Sequence, residues 1–251
     1  MVHSRLNVVC ISFYNFPPII KVFSTILLLM FSTFSTGQVR HLNIGPKGNG
    51  ICFGNSADHN GIRLNLRDKR DENLHHLNGI SIAGISRCRT INGISISVLT
   101  LACKRSNGII IGGLGVEPKN HNGIAVGGLY ISGTKCNGIG IAGMSPYADT
   151  LNGVFAGLWG VMSLNKEDSI KVINGLAVGG MGVIASEMNG VSVAYFLNSF
   201  HKQKGVSIAS INLTHELHGF QFGLINHAAN NRRFLKWTPV FNFNLRKKTG
   251  T

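Results

Sequence analysis

A segment of about 15 residues recurs ten times in this chain, and its clearest copy reads NGIAVGGL at residues 122–129. Successive copies are separated by 14, 15, 15, 15, 15, 22, 15, 15 and 14 residues. The copies begin at Asn78, Asn92, Asn107, Asn122, Asn137, Asn152, Asn174, Asn189, Lys204 and His218. A fixed short period is typical of proteins in which each structural repeat packs only against its neighbours.

The apolar residues within each copy follow a constant pattern. With the Asn numbered zero, position one is Gly, positions two and four are apolar, position five is small and position seven is large and apolar. The alternation of positions two and four predicts a half-buried β-strand. Position seven is out of phase with that strand, so we expect a bend at positions five and six. This pattern predicts that positions two, four and seven face the core.

Two all-β architectures fit the repeat. In a β-solenoid each repeat is one coil of three sides with about five residues per side, and equivalent residues stack about 4.8 Å apart in parallel ladders. In an up-and-down β-barrel of the outer-membrane type, each repeat is a strand and its connection, and neighbours run antiparallel. Asn-Gly is a hairpin signal and is compatible with the barrel. The near-constant period and the broken alternation favour the solenoid.

The first 37 residues have the composition of an export signal. Lys21 precedes an apolar run at 22–34, and small residues at 35–37 offer a cleavage site before Gln38. The run is short for a membrane span, although an uncleaved membrane anchor is the alternative. The stretch before Lys21 is long for such a signal, so a start further into the chain is also open.

Three further regions complete the domain organisation. Residues 38–77 are expected to form an N-terminal cap or an irregular lead-in, because their Asn-Gly-Ile segments are wrongly spaced and a charged segment interrupts them. The repeat array covers 78–226, and its one long step is expected to hold a solvated loop around 165–169. Residues 227–251 are expected to form a capping strand followed by a basic tail, because 240–245 alternate cleanly.

Two segments resemble a known group of proteins. The sequence NGV at 152–154 with Gly157-Leu158, and above all GFQFGLIN at 219–226, resemble the Gly-Leu-Gln-Leu-Gly-Leu-Val-Asn repeats of exported bacterial surface-repeat proteins. The segment PVFNF at 239–243 is similar to the ends of such chains. The resemblance covers residues 78–245 and implies a location in the envelope of a Gram-negative bacterium. It implies no catalytic residues, and the middle copies carry Ala, Ser or Gly where that group has Gln.

The charge balance favours anionic partners. Lys and Arg number 24 against 10 Asp and Glu, which gives a formal net charge of +14. Lys104, Arg105, Lys119 and Lys135 occupy position twelve or thirteen of their repeats, so a solenoid would align them along one edge. The simpler interpretation is that these cations are ordinary solvated surface residues. The more specific interpretation is that they dock on phosphate-rich envelope components. No motif indicates specific nucleic-acid binding, membrane association stays open, and no small-molecule ligand is indicated.

The recurrent Asn at position zero has a structural explanation. Asn tolerates turn conformations, and in a solenoid its side chains would stack as an amide ladder. The predicted ladder consists of Asn78, Asn92, Asn107, Asn122, Asn137, Asn152, Asn174 and Asn189.

No arrangement of residues in the sequence indicates catalysis, a metal site or a cofactor. The acids within the array are scattered rather than paired, and no nucleophile or nucleotide-binding motif is present. His215 and His218 are one residue too close for a zinc-protease helix. Cys88 and Cys103 lie in adjacent repeats, where a solenoid could bring them within disulfide reach. We favour the interpretation that they are free thiols. We therefore expect an exported, non-enzymatic protein with a structural or interaction role; an outer-membrane barrel is the alternative, and a carbohydrate-active enzyme on a solenoid is a remote one.

Overall fold

The computed structural model describes residues 42–46, 48–56, 58–68, 76–162 and 171–245, and these residues form a β-solenoid of about 11 turns. A single sheet runs through the stack, and nearly every strand pairs with the next strand in sequence. The strands are β1 (Leu42–Ile44), β2 (Asn49–Phe53), β3 (Asp58–Arg67), β4 (His76–Ser97), β5 (Thr100–Gly112), β6 (Gly115–Gly127), β7 (Tyr130–Ala142), β8 (Ser145–Gly157), β9 (Gly160–Met162), β10 (Val172–Gly179), β11 (Gly182–Ala194), β12 (Leu197–Ile208), β13 (Ile211–Ala228) and β14 (Trp237–Asn244). A short 3-10 helix, Arg233–Leu235, precedes β14.

The pairing of neighbouring repeats is parallel and in register. Asn107 aligns with Asn122, and Asn122 aligns with Asn137, as do the residues that follow them. An up-and-down barrel requires antiparallel neighbours. The prediction of a solenoid with coils of about 15 residues is therefore confirmed, and the barrel alternative is wrong.

Each coil turns at three places. The strands end at position five, and a two-residue bend at positions six and seven, such as Gly128-Leu129, separates them. A second turn falls at position twelve, where the residue between the aligned pairs Cys103–Pro118 and Arg105–Asn120 leaves the ladder. The third turn is the glycine at position one. Gly123 has φ +131°, and a Cβ there would overlap the carbonyl oxygen of Gly108 in the preceding coil. Both observations explain why every copy has Gly at this position.

The interior of the coil contradicts the predicted core faces. Ala125, at position three, is 1% exposed, whereas Ile124 and Leu129, at positions two and seven, are 38% and 44% exposed. Val126, at position four, is half-buried. The array thus buries position three and the small position five, and it directs positions two, four and seven outward. Position five is small because it lies inside the coil, and the bend falls one residue later than expected.

Side chains from the other two sides of the coil fill most of its interior. The residue before position zero is buried in all ten copies, and Leu151 and Ile173 are examples at 0% exposure. Val116 and Ile131, in the side that follows the bend, are also fully buried. Little interior volume remains for the side chain at position three, and the position-three side chains of neighbouring coils share that volume. The ring of Phe155 occupies the space that a side chain on Gly140 would need.

The parallel stack begins earlier than the regular repeat. Asn49 aligns with Asn60, and Asn60 aligns with Asn78, so β2 and β3 belong to the stack despite their irregular spacing. The described part of the region 38–77 therefore adds parallel rungs to the stack. The charged segment within it begins with two described residues, Arg67, which is exposed, and Asp68, which is buried.

Antiparallel strands lie at both ends of the stack. At one end β1 pairs with β2, and at the other β14 pairs with β13. The pairing contains a bulge between Gly223 and Asn226 of β13, and Val240, which aligns with Gly223, has φ +68°. Each terminal strand occupies hydrogen-bonding groups that an open edge would expose to other chains. The predicted export signal at 1–37, most of the predicted loop and the predicted basic tail at 246–251 lie outside the described residues.

Candidate functional surfaces

The Asn side chains at position zero form a continuous ladder of hydrogen bonds. Each Nδ2 donates to the Oδ1 of the Asn one coil earlier, at 2.6–3.0 Å. The bonded residues are Asn49, Asn60, Asn78, Asn92, Asn107, Asn122, Asn137, Asn152, Asn174 and Asn189. The ladder includes every predicted member and two more, Asn49 and Asn60. The sequence analysis had not included these two because their spacing is irregular. It stops where Lys204 replaces Asn, so the Asn189 Oδ1 accepts no bond.

The basic edge, defined as Lys104, Arg105, Lys119 and Lys135, lies on three consecutive coils. Lys104 and Arg105 are in β5, Lys119 is in β6 and Lys135 is in β7. Arg105, Asn120 and Lys135 align as successive rungs, and Lys119 directly precedes Asn120 at the turn. Within the described ranges Arg105, Lys119 and Lys135 are exposed and form no ion pair.

One further cation belongs to this edge and was missed in the sequence. Arg89 is exposed at the same turn of β4, between the aligned pairs Cys88–Cys103 and Thr90–Arg105. It lies one position earlier in its repeat because the step from Asn78 to Asn92 is 14 residues rather than 15. Aligning the sequence from both ends of each repeat would have revealed it.

The same edge carries paired charges in the C-terminal half of the stack. Lys202 lies 3.7 Å from Glu187 on the neighbouring coil, and Lys171 forms an ion pair with Asp149. His201 and His215 stack there with ring centroids 5.1 Å apart. The positive potential of this edge is therefore concentrated on β4–β7.

A buried ion pair lies near the N-terminal end of the stack. Arg63 occupies the interior position three of its coil and donates two hydrogen bonds to Asp68, at 2.8 and 2.9 Å. Both side chains are fully buried. Asp68 also accepts bonds from Ser86 and from the backbone NH of Arg87. Arg63 also donates to Ser81 of β4, so this group of hydrogen bonds holds β3 and Asp68 against β4.

The cysteines are buried in the interior. Cys88 and Cys103 align on adjacent coils, and no disulfide is formed by the cysteines that the structure describes. Burial raises the pKa of the Cys88 thiol well above its usual value and that of Cys136 to about 12. Thiols in such surroundings stay protonated at neutral pH and are poor nucleophiles.

The histidines are dispersed. His215 is exposed beside His201, whereas His218 takes the place of an Asn at position zero and aligns with Lys204. His121 is buried in the interior, and its Nδ1 lies 2.7 Å from the Ser106 hydroxyl. Burial lowers the pKa of His121 to about 4. Among the residues described, no three His, Cys, Asp or Glu side chains gather as metal ligands would.

One side of the coil forms an apolar face, defined as the outward side chains at positions two and four. It begins with Ile51 and Phe53 on β2 and reaches Phe220 and Phe222 on β13. Phe243 and Phe241 of β14 align with that last pair and extend the face by one rung. Sequence reasoning identified these apolar positions and placed them on the wrong side of the strand.

Comparisons with protein-family models, with curated proteins and with solved structures gave no match. Among the described residues, no helix has the length and hydropathy needed to cross a bilayer.

Proposed function

We propose that this chain is an exported, non-enzymatic protein of the bacterial cell envelope, whose basic edge binds anionic envelope components. The observation that carries the proposal is the alignment of Arg105, Lys119 and Lys135 on consecutive coils without acidic partners among the described residues. The ion pairs farther along the same edge show that the repeat position alone does not require unpaired cations.

A row of cations suits a polymeric anion better than a single small one. Arg105 and Lys135 are two rungs apart, which is about 10 Å at about 4.8 Å per rung. Each exposed cation contributes little alone, because water and salt screen it over about 8 Å at physiological ionic strength. Several cations on one rigid edge attract a repeating phosphate or acidic glycan together and without reorganisation.

The binding experiment uses long-chain polyphosphate as a soluble probe of phosphate-rich polymers. The double variant Lys119→Glu/Lys135→Glu should weaken binding at least tenfold, and binding by the unmodified chain should fall steeply with added salt. Lys202→Glu/Lys204→Glu is the matched control, because it changes the net charge equally on β12. An equal loss in both variants would show that net charge, and not the basic edge, governs binding.

Export is tested separately. The mature chain should begin at Gln38 in the envelope fraction, because small residues precede that position. N-terminal sequencing of that fraction decides the point. An intact N-terminus there would replace cleavage with anchoring, and absence of the chain from the envelope would contradict the location itself.

A further inference from the structure

The apolar face is a long surface without an interruption by polar groups. Along β2–β13 and β14, every residue at its two ladder positions is apolar. Its exposed members range from Ile96 at 36% to Phe241 at 53% exposure. The exposed members are Ile51, Phe53, Ile62, Ile80, Ile82, Ile94, Ile96, Ile124, Ile139, Ile141, Val154, Val178, Val191, Ile208, Phe220, Phe222, Phe241 and Phe243.

The size of this face matches one half of a stable protein interface. Thirteen rungs at about 4.8 Å give a length of about 58 Å, and two alternate side chains give a width of about 12 Å. The resulting area of about 700 Å² exceeds the few hundred Å² that monomers usually leave exposed. It is close to the roughly 800 Å² that each partner buries in a standard interface.

We propose that two copies of this chain pack face to face through the apolar face, as the two sheets of a β-sandwich do. Stacked sheets pack about 10 Å apart, with side chains of one fitting between those of the other. The face repeats at one spacing along its length, so a second copy presents the same spacing. A two-fold axis through the face makes the contact isologous and closed. This inference goes beyond the proposed function, because it concerns another side of the coil.

The distribution of charge permits the same pairing. The apolar face lies between the turns at position one and at positions six and seven, so the turn that bears Arg105, Lys119 and Lys135 is the remaining, opposite corner. Face-to-face packing therefore directs the cations of both copies outward. Their repulsion across the pair is screened, because their separation exceeds the Debye length of about 8 Å.

A lipid surface would use this arrangement less well. Binding of amphipathic surfaces to anionic membranes combines apolar burial with attraction between cations and headgroups. With the apolar face in the bilayer, the basic edge would point away from the headgroups. The geometry thus favours a second copy, and the lipid surface becomes an outcome of the test.

Sedimentation equilibrium of the purified chain in detergent-free buffer measures the pairing. We expect a dimer at micromolar concentration for the unmodified chain. Ile124→Lys/Ile139→Lys, near the middle of the face, should weaken the dimer at least a hundredfold, because it places charges in a desolvated contact. Asn120→Lys/Thr134→Lys adds the same charge on the same two strands, β6 and β7, at exposed positions of the opposite corner, and it should remain dimeric.

Circular dichroism verifies that each variant is folded, and Ile80→Lys/Ile94→Lys on β4 provides a second disruption if the first unfolds. A monomeric unmodified chain, a dimer that survives the lysines on the face, or a polydisperse series in place of a closed pair would each overturn the proposal. Flotation of a monomeric chain with phosphatidylcholine vesicles, lost in Ile124→Lys/Ile139→Lys, would assign the face to lipid instead.

Discussion

The coils of β5–β8 and those of β11–β13 have the same parallel ladders but fill their interiors with different chemistry. In β5–β8 the interior is mainly apolar. Its fully or nearly fully buried side chains include Leu101, Ile110, Val116, Ile131, Leu151 and Phe155. In β11–β13 the interior is rich in amides and hydroxyls. Its buried polar side chains include Ser192, Asn198, Gln203, Ser207, Asn212, Thr214, Gln221 and Asn226.

The polar interior of the C-terminal coils is held by a network of hydrogen bonds. Asn198 donates to Asn212 at 3.1 Å, and Asn212 donates to Asn226 at 2.8 Å. Gln221 donates to Thr214 at 2.9 Å, and Thr214 donates to Gln203 at 3.0 Å. This network is an inner counterpart of the Asn ladder on the outer surface.

The difference shows that the backbone, and not one kind of core, defines the coil. The glycine turn and the parallel hydrogen bonds are common to both regions, while the interior is filled mainly by apolar side chains in one region and largely by hydrogen-bonded amides in the other. The apolar interior and the amide interior should be destabilised by different kinds of substitution. An apolar interior fails when volume or charge is wrong, whereas an amide interior fails when one member of a bonded pair is lost.

A charge in the apolar interior should have the largest effect. Ala125→Asp places a carboxylate at a position that is 1% exposed, in an interior of mainly apolar side chains. We expect a loss of about 4 kcal/mol or more in the free energy of unfolding, which is a large part of the stability of an ordinary domain. Ile124→Asp, on the outward face, should keep the fold. Circular dichroism compares the two, and equal damage would show that the inner and outer faces are assigned wrongly.

The packing of Phe155 against Gly140 should give the next largest effect. Phe155→Ala leaves a cavity and should cost about 3–5 kcal/mol. Gly140→Ala alone should also destabilise, because its methyl group would meet the Phe155 ring. In the double variant the methyl group enters the vacated space, so the combined loss should be smaller than the sum. Additive losses in urea denaturation would show that the two residues do not share one volume.

Loss of one amide in the C-terminal network should cost less. Asn212→Leu removes the donor to Asn226 and to the carbonyl of Phe222, and each unsatisfied acceptor costs about 1–3 kcal/mol. We expect a total loss of about 2–3 kcal/mol in urea denaturation, although leucine is the more apolar residue. A gain in stability would show that the buried amides do not stabilise the fold. Leu151→Asn, the reverse exchange in the apolar region, is the matched comparison.

His121, a polar residue in the apolar region, should give the smallest effect, and the effect should depend on pH. Its folded pKa of about 4 lies below the ordinary value of 6.5, so between these values the unfolded chain binds a proton that the folded chain does not. Stability should therefore fall by about 2 kcal/mol from pH 7 to pH 5. His121→Leu should remove this part of the slope, and unchanged pH dependence would contradict the assignment.

Several features could be predicted because they follow directly from the period and from the glycine. A constant step between Asn-Gly pairs leads to stacked coils, and the spacing of Lys104, Arg105, Lys119 and Lys135 placed them on one edge. The Asn ladder followed from the same register. The irregular spacing of Asn49 and Asn60 concealed their coils, because alignment of those residues depends on the loops between them.

The sequence by itself determined the coil and its register, and the tertiary structure decided which side of each strand is buried. Alternation creates two faces on each strand. Hydrophobicity alone would favour burying the face that carries the larger apolar side chains, such as Ile124 and Val126. In a narrow three-sided coil, however, Leu151, Ile131 and their equivalents occupy most of the interior from the other sides. The remaining positions take small side chains, such as Ala125, or a large one beside a glycine, such as Phe155 beside Gly140. Competition for interior volume therefore turned the apolar ladders outward, and that volume becomes defined only when the three sides meet.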